Sequence, residues 1–151
     1  MTGPREKSTR MVPHVTEKIR QSFAAQAMMT TLGARLSHIG EGCVEIEAPI
    51  LATSRQQHGF AHAGLTFSIG DSAAGYAALT VMPDDHEVLT AEMKINLLAP
   101  GKGELLVARG RVIRPGRKLV VVQADVYARQ GGRETHIALL IGTMVAVAPR
   151  A

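Results

Sequence analysis

The stretch Gln56–Thr80, QQHGFAHAGLTFSIGDSAAGYAALT, decides the fold. From Ala63 onward it is apolar or small on every side, with Leu65, Phe67, Ile69, Tyr76 and Leu79 spread round a helical wheel. A helix that is apolar all round is buried. Gly64, Gly70 and Gly75 lie among these residues, and a glycine inside a helix costs roughly 0.5 to 1 kcal/mol relative to alanine. The pattern therefore predicts a partner surface pressed close against the helix, and a curved sheet wrapped round it meets that need. One carboxylate, Asp71, stands in the middle of this surface. Left unpaired, a buried charge is strongly unfavourable.

The start of the helix carries the other half of the chemistry. Gly59, Ala61, Ala63 and Gly64 are small residues at a helix N-terminus, where the first N–H groups lack intrahelical acceptors and the positive end of the macrodipole lies. Such an end can hold an oxyanion. Ala63 and Asp71 are eight residues apart, about 12 Å at 1.5 Å per residue, too far for one carbonyl to meet both. If the two serve one site, a second, antiparallel copy of the helix must bring its carboxylate to this tip. The spacing then implies a two-fold homodimer with two shared sites.

His58-Gly59-Phe60-Ala61-His62-Ala63-Gly64, with Asp71 seven residues after Gly64, resembles the HGxxHGG and downstream Asp signature of the PaaI-like acyl-CoA thioesterases, which have the hotdog fold. The resemblance runs from about Val15 to Val147. It implies that Asp71 is the catalytic carboxylate and that Ala63 stands where a glycine N–H polarises the thioester carbonyl, with His62 and Gly64 shaping that turn. Gln56 falls where the family has an Asn or another amide near the attacking water, and Thr90 matches a Ser or Thr near the water and the cofactor arm. By the same resemblance the basic turns around Lys102, Arg114, Gly116, Arg117 and Lys118 hold the nucleotide end of coenzyme A. Met28 and Met29 on the first helix, with Phe60 and Tyr76, line the acyl pocket; core packing is the other use of the two methionines. No cofactor is implied beyond the CoA of the substrate. Two departures stand out: Ala63 replaces the first Gly of the pair, and Gln56 is one methylene longer than Asn.

At 151 residues the length predicts one domain with one core. The chain is 46% hydrophobic yet holds three Phe, two Tyr and no Trp, so aliphatic and small residues build that core. A net charge of +4, without aromatic interleaving, argues against nucleic acid and suits a small polyanionic ligand. A single cysteine, Cys43, makes no intrachain disulfide and agrees with a reducing compartment. Neither a leader pattern at Met1–Arg10 nor an uncharged apolar run long enough to span a membrane is visible, which predicts a cytoplasmic protein.

Residues 1–12 read as a flexible N-terminus and 13–151 as a single hotdog domain. From His14, Val15, Ile19, Phe23 and Ala27 recur at four-residue steps, predicting one helix that ends at Gly33. Short strands follow at Ala34–His38 and Cys43–Ile50, joined by Gly40-Glu41-Gly42. After the central helix, Leu89, Ala91, Met93, Ile95 and Leu97 alternate with polar residues, which places Thr90 on a polar face. Further strands are predicted at Leu105–Ile113, Val120–Ala128 and His136–Val147. Arg114-Pro115-Gly116-Arg117-Lys118 reads as a type II turn. The last strand is nearly all apolar, predicting burial on both faces and a homotetramer of back-to-back dimers. The fold class is α+β: a hotdog of five or six antiparallel strands round a long central helix, with an extra N-terminal helix.

His58 and His62 have the spacing of two helical metal ligands, but no further ligand follows nearby, and the pair reads as turn-forming with no metal. Cys43 lies in a strand without an activating neighbour and is set aside as a nucleophile. The leading expectation is an acyl-CoA thioesterase. Its alternatives are a non-catalytic acyl-CoA-binding module and a hotdog enoyl-CoA hydratase or dehydratase.

Overall fold

The computed structural model describes residues 13–150; the expectation for residues 1–12 falls outside them. Two helices, α1 (Pro13–Ala25) and α2 (Ala27–Thr31), precede strands β1 (Arg35–Gly40) and β2 (Cys43–Pro49). The central helix α3 (Ala63–Leu79) follows, and then β3 (Glu87–Leu97), β4 (Leu105–Arg114), β5 (Leu119–Gln130) and β6 (Arg133–Val147). The strands form one curved antiparallel sheet in the order β1-β2-β4-β5-β6-β3. This is the hotdog arrangement.

The single N-terminal helix expected from the sequence is two helices. Gln26 between them has extended backbone, φ −78° and ψ 99°. Gly33 follows α2 in the left-handed region, φ 67°, as a residue just past a helix end does. Val15 and Ile19 of α1 are buried, as the four-residue steps predict.

Helix α3 packs on the inner face of the sheet. Ile69, Ala73, Ala74 and Ala77 are fully buried against Val122, Ala124 and Val126 of β5 and Leu140 and Met144 of β6. The reason for the glycines differs from the expectation in two of three cases. At Gly70 a Cβ would come within 2.9 Å of the end of the Leu140 side chain, so here the sheet does press on the glycine and Leu140 would have to shift to admit a side chain. Gly64 is crowded by the ring of His62 instead, and at Gly75 a Cβ would meet only the end of Met144 at 3.8 Å. The tightest approach is enforced from the other side: a Cβ on Gly110 of β4 would run into the backbone of Ala73.

Strand β3 holds the largest departure. A bulge between Thr90 and Glu92 shifts its register against β6, so the alternation changes phase. Thr90 pairs with Met144, which is fully buried, and Met93 and Ile95 pair with Gly142 and Leu140. Thr90 therefore faces α3 together with Met93 and Ile95, while Leu89 points outward and is 62% exposed. One inserted residue has this effect because side chains alternate with period two.

Strand β6 is covered on one face only within this chain. Its inward residues Ala138, Leu140 and Met144 are fully buried, whereas Ile141 is 46% exposed. On the outer face of the sheet, Arg109 Nε donates to Glu45 and its two terminal nitrogens donate to Glu134, each at 2.8 Å. Its guanidinium also lies 4.8 Å from the ring centroid of Tyr127. Arg109 thus belongs to an ion-pair network. The Pro115-Gly116 turn is not type II, since Gly116 lies outside the left-handed region; what demands a glycine there is the carbonyl of Leu119, which a Cβ would strike. Among the described residues no helix is long and apolar enough to cross a membrane.

Candidate active site

The loop before α3 is tied down by its main chain. Ala61 N–H donates to the Gly101 carbonyl at 2.8 Å, His62 N–H to the Ser54 carbonyl at 3.0 Å, and Gln56 N–H to the Phe60 carbonyl at 2.8 Å. His62 is the N-cap, with extended backbone, and its Nδ1 accepts from Gly64 N–H at 2.8 Å. The carbonyl of His62 takes the N–H groups of Leu65 and Thr66. Ala63 is the first residue of the helix, and among the described residues its N–H has no acceptor. It opens onto a cavity of about 510 Å³ lined by Gln56, Phe60, Thr66, Leu97 and Pro100 among others. The side chain of Gln56 accepts from His58 N–H, which holds it beside this cavity.

Asp71 lies on a different cavity, one of about 180 Å³, with Ser22, Gln26, Tyr76, Glu87 and Thr90. Thr90 Oγ1 donates to Asp71 Oδ1 at 2.8 Å. The other carboxylate oxygen has no partner among the described residues. Burial pushes the Asp71 carboxyl above its ordinary range, and the bond from Thr90 partly offsets that by favouring the charged form. An acid so placed is a stronger base than a free carboxylate.

One chain therefore presents a free N–H donor and a desolvated carboxylate on one helix but in two cavities. Eight residues separate them, about 12 Å along the axis, so no single carbonyl reaches both within the chain.

The remaining expectations divide. Tyr76 lines the Asp71 cavity, where its Oη accepts from Gln26 Nε2 and lies 3.0 Å from Ser22 Oγ. Phe60 lines the Ala63 cavity and the one beside it. Met29 and Met28 line neither: Met29 is 2% exposed and belongs to the core, while Met28 is 53% exposed. The basic residues do not form one group. Lys102 precedes β4, whereas Arg114 ends it and Gly116, Arg117 and Lys118 lie beyond that end, and ten residues of strand span about 30 Å. What joins Lys102 is Arg133, in a cavity of about 440 Å³ that shares Phe60, Ala99 and Pro100 with that of Ala63. Arg133 was not singled out in the sequence because it follows Gly131-Gly132 and pairs with Gln130 at a hairpin end; only the fold brings it to Lys102. Ser22, Gln26 and Glu87 were also missed, since nothing in their local pattern points at Asp71.

Residues 58–135 match the family described as the thioesterase superfamily. A solved thioesterase family protein from Silicibacter pomeroyi is 43% identical, with a TM-score of 0.87 over 89% of this chain and 99% of that one. The E. coli PaaI protein of the phenylacetic acid degradation operon aligns over 92% of this chain and 97% of its own, with a TM-score of 0.82; at 20% identity that likeness is one of fold. A protein of Saccharolobus solfataricus that bears a provisional esterase name is 38% identical over 87 residues, which are 58% of this chain and 55% of that relative.

Proposed function

The chain belongs to the thioesterase superfamily, and from that premise we propose that it is an acyl-CoA thioesterase working as a homodimer. The observation that carries this reading is the pairing, on one helix, of an N–H without an acceptor at Ala63 and a desolvated carboxylate at Asp71 with one oxygen free. A two-fold partner with an antiparallel α3 completes each site. The carbonyl oxygen of the thioester accepts from Ala63 N–H of one protomer, where the helix dipole favours the developing negative charge. Asp71 of the other protomer takes a proton from water as the water oxygen attacks the carbonyl carbon. The tetrahedral adduct collapses, the C–S bond breaks, and the CoA sulfur leaves with a proton to give free acid and CoA. Thr90 holds the carboxylate in place, and Gln56 orients the water from the Ala63 side.

Strand β3 supports the dimer: it is a sheet edge of eleven residues with Leu89 and Leu97 exposed, and an unpaired edge of that length can pair with a second copy. The open outer face with Ile141 is compatible with a homotetramer of two such dimers. Lys102 and Arg133, beside the Ala63 cavity, suit the phosphates of CoA. We place the enzyme in the cytoplasm, without a metal or a cofactor of its own.

The test is thiol release from a panel of acyl-CoAs by the wild type and by Asp71→Ala and Asp71→Asn. Turnover is expected in the wild type alone. Undiminished release by both variants would overturn the role given to the carboxylate.

A further inference from the structure

Resting on the thioesterase reading, the cavity of Asp71 says which part of the substrate enters it. Two carboxylates, Asp71 and Glu87, line it, and among the described residues no Lys or Arg does. Lys18, the nearest cation to Glu87 at 3.7 Å, is already held by the carbonyls of Asp84 and His86. A polyphosphate is repelled from such a wall, so the acyl group goes there and the CoA arm takes the side of Lys102 and Arg133.

The far wall is polar. Gln26, freed from helical geometry by the break between α1 and α2, donates its amide to Tyr76 Oη, and Ser22 Oγ lies 3.0 Å from the same oxygen. Gln26 Oε1 is left without a donor among the described residues, and the Ser22 hydroxyl keeps bonding capacity to spare. Among the described residues, Val88 and Met144 are its aliphatic and thioether lining, beside the ring of Tyr76. Tyr76 is five residues beyond Asp71, about 7.5 Å along the helix axis, which a four-carbon chain covers only together with the roughly 2.8 Å of a terminal O–H···O bond. An alkyl or aryl end would strip water from these groups and return no hydrogen bond. A carboxylate end would meet Glu87.

We infer that Ser22, Gln26 and Tyr76 form a specificity pocket for a short, uncharged acyl group with a hydroxyl at its far end, of the hydroxyalkanoyl class. The hydroxyl donates to Gln26 Oε1 and accepts from Ser22 Oγ or Tyr76 Oη. Discrimination of this kind is strong because the analogue lacking the hydroxyl leaves the site's own polar groups unpaired.

Three thioesters of equal chain length isolate the far end: 4-hydroxybutyryl-CoA, butyryl-CoA and succinyl-CoA, compared by kcat/KM from thiol release with the full-length protein. We expect 4-hydroxybutyryl-CoA to lead butyryl-CoA at least about tenfold, with succinyl-CoA last. In Ser22→Ala and in Gln26→Met the ratio of the first two falls to within about twofold of one. Ser22→Ala deletes one oxygen from a helix, so it reports even where Gln26→Met folds poorly. A wild-type ratio at or below one, or a ratio that Ser22→Ala leaves unmoved, overturns the inference while the thioesterase reading survives. Release from none of the three, nor from longer acyl or aryl thioesters, removes that reading and the inference with it.

Discussion

At Ala63 the protein offers a main-chain group; eight residues further along the same helix, at Asp71, it offers a side chain. The first end is exposed and is held by backbone bonds from Ala61, His62 and Gln56 to neighbouring loops. The second lies half-buried, and its position depends on a side-chain bond from another strand. A site made of N–H groups tolerates any residue that keeps the N–H, which is why an alanine can stand where similar proteins have glycine. A site made of a carboxylate tolerates no replacement, because nothing of similar shape carries the charge.

Breaking the side-chain end should have the largest effect. Asp71→Asn keeps the shape and removes the base, and kcat should fall on the order of 10³-fold, within the range of general-base loss. At the main-chain end, Ala63→Pro is the sharpest tool. Proline is accepted at the first helical position, and His62 already has the extended backbone that a following proline demands. The fold should survive by circular dichroism, whereas kcat falls about 10²-fold as the single donor is lost. Ala63→Gly keeps the N–H and should change kcat/KM less than about twofold; a large change would mean that the methyl itself takes part.

Thr90→Val addresses the link between the two kinds of support. In the proposed mechanism Asp71 acts when ionised, so activity should fall as pH drops through its raised pKa. Thr90 favours the ionised form, and without it the pKa rises further and the acid limb of the kcat/KM profile moves to higher pH, with a loss of only a few-fold at pH 8. A limb that stays in place would separate Thr90 from the carboxylate.

The smallest effect is on stability. A carboxyl whose folded pKa lies above its unfolded one adds stability in its protonated form, present below the unfolded pKa and lost as pH rises through the folded one. In its ionised form Asp71 therefore opposes folding. Asp71→Asn should raise stability at pH 7 by less than about 1 kcal/mol, since the half-open cavity screens the charge. The gain should fade on acidification, as thermal unfolding at pH 4 and pH 7 can show.

Much of the fold was legible because periodicity follows burial. The inner residues Val120, Val122, Ala124, Val126 and Ala128 of β5 are all buried at the predicted step of two. The helix with one carboxylate was equally plain. The spatial neighbours of several candidate residues were not: Met29 lies in the core, Lys102 lies a strand's length from Arg114 and Arg117, and Arg133 comes beside Lys102 from a hairpin that looked like any other. A side chain's neighbours across a sheet are set by register and strand order, which no local pattern carries.

By itself, then, the sequence determined a buried helix bearing one acid, the amide-rich turn at its start and the strands that wrap it, since these depend only on which residues avoid water and which backbone shapes small residues permit. Only the tertiary structure decided that Thr90 faces Asp71. The residue inserted at the bulge costs little in the chain order, yet pairing with β6 places it, and that pairing turns the strand over just where the acid needs a donor.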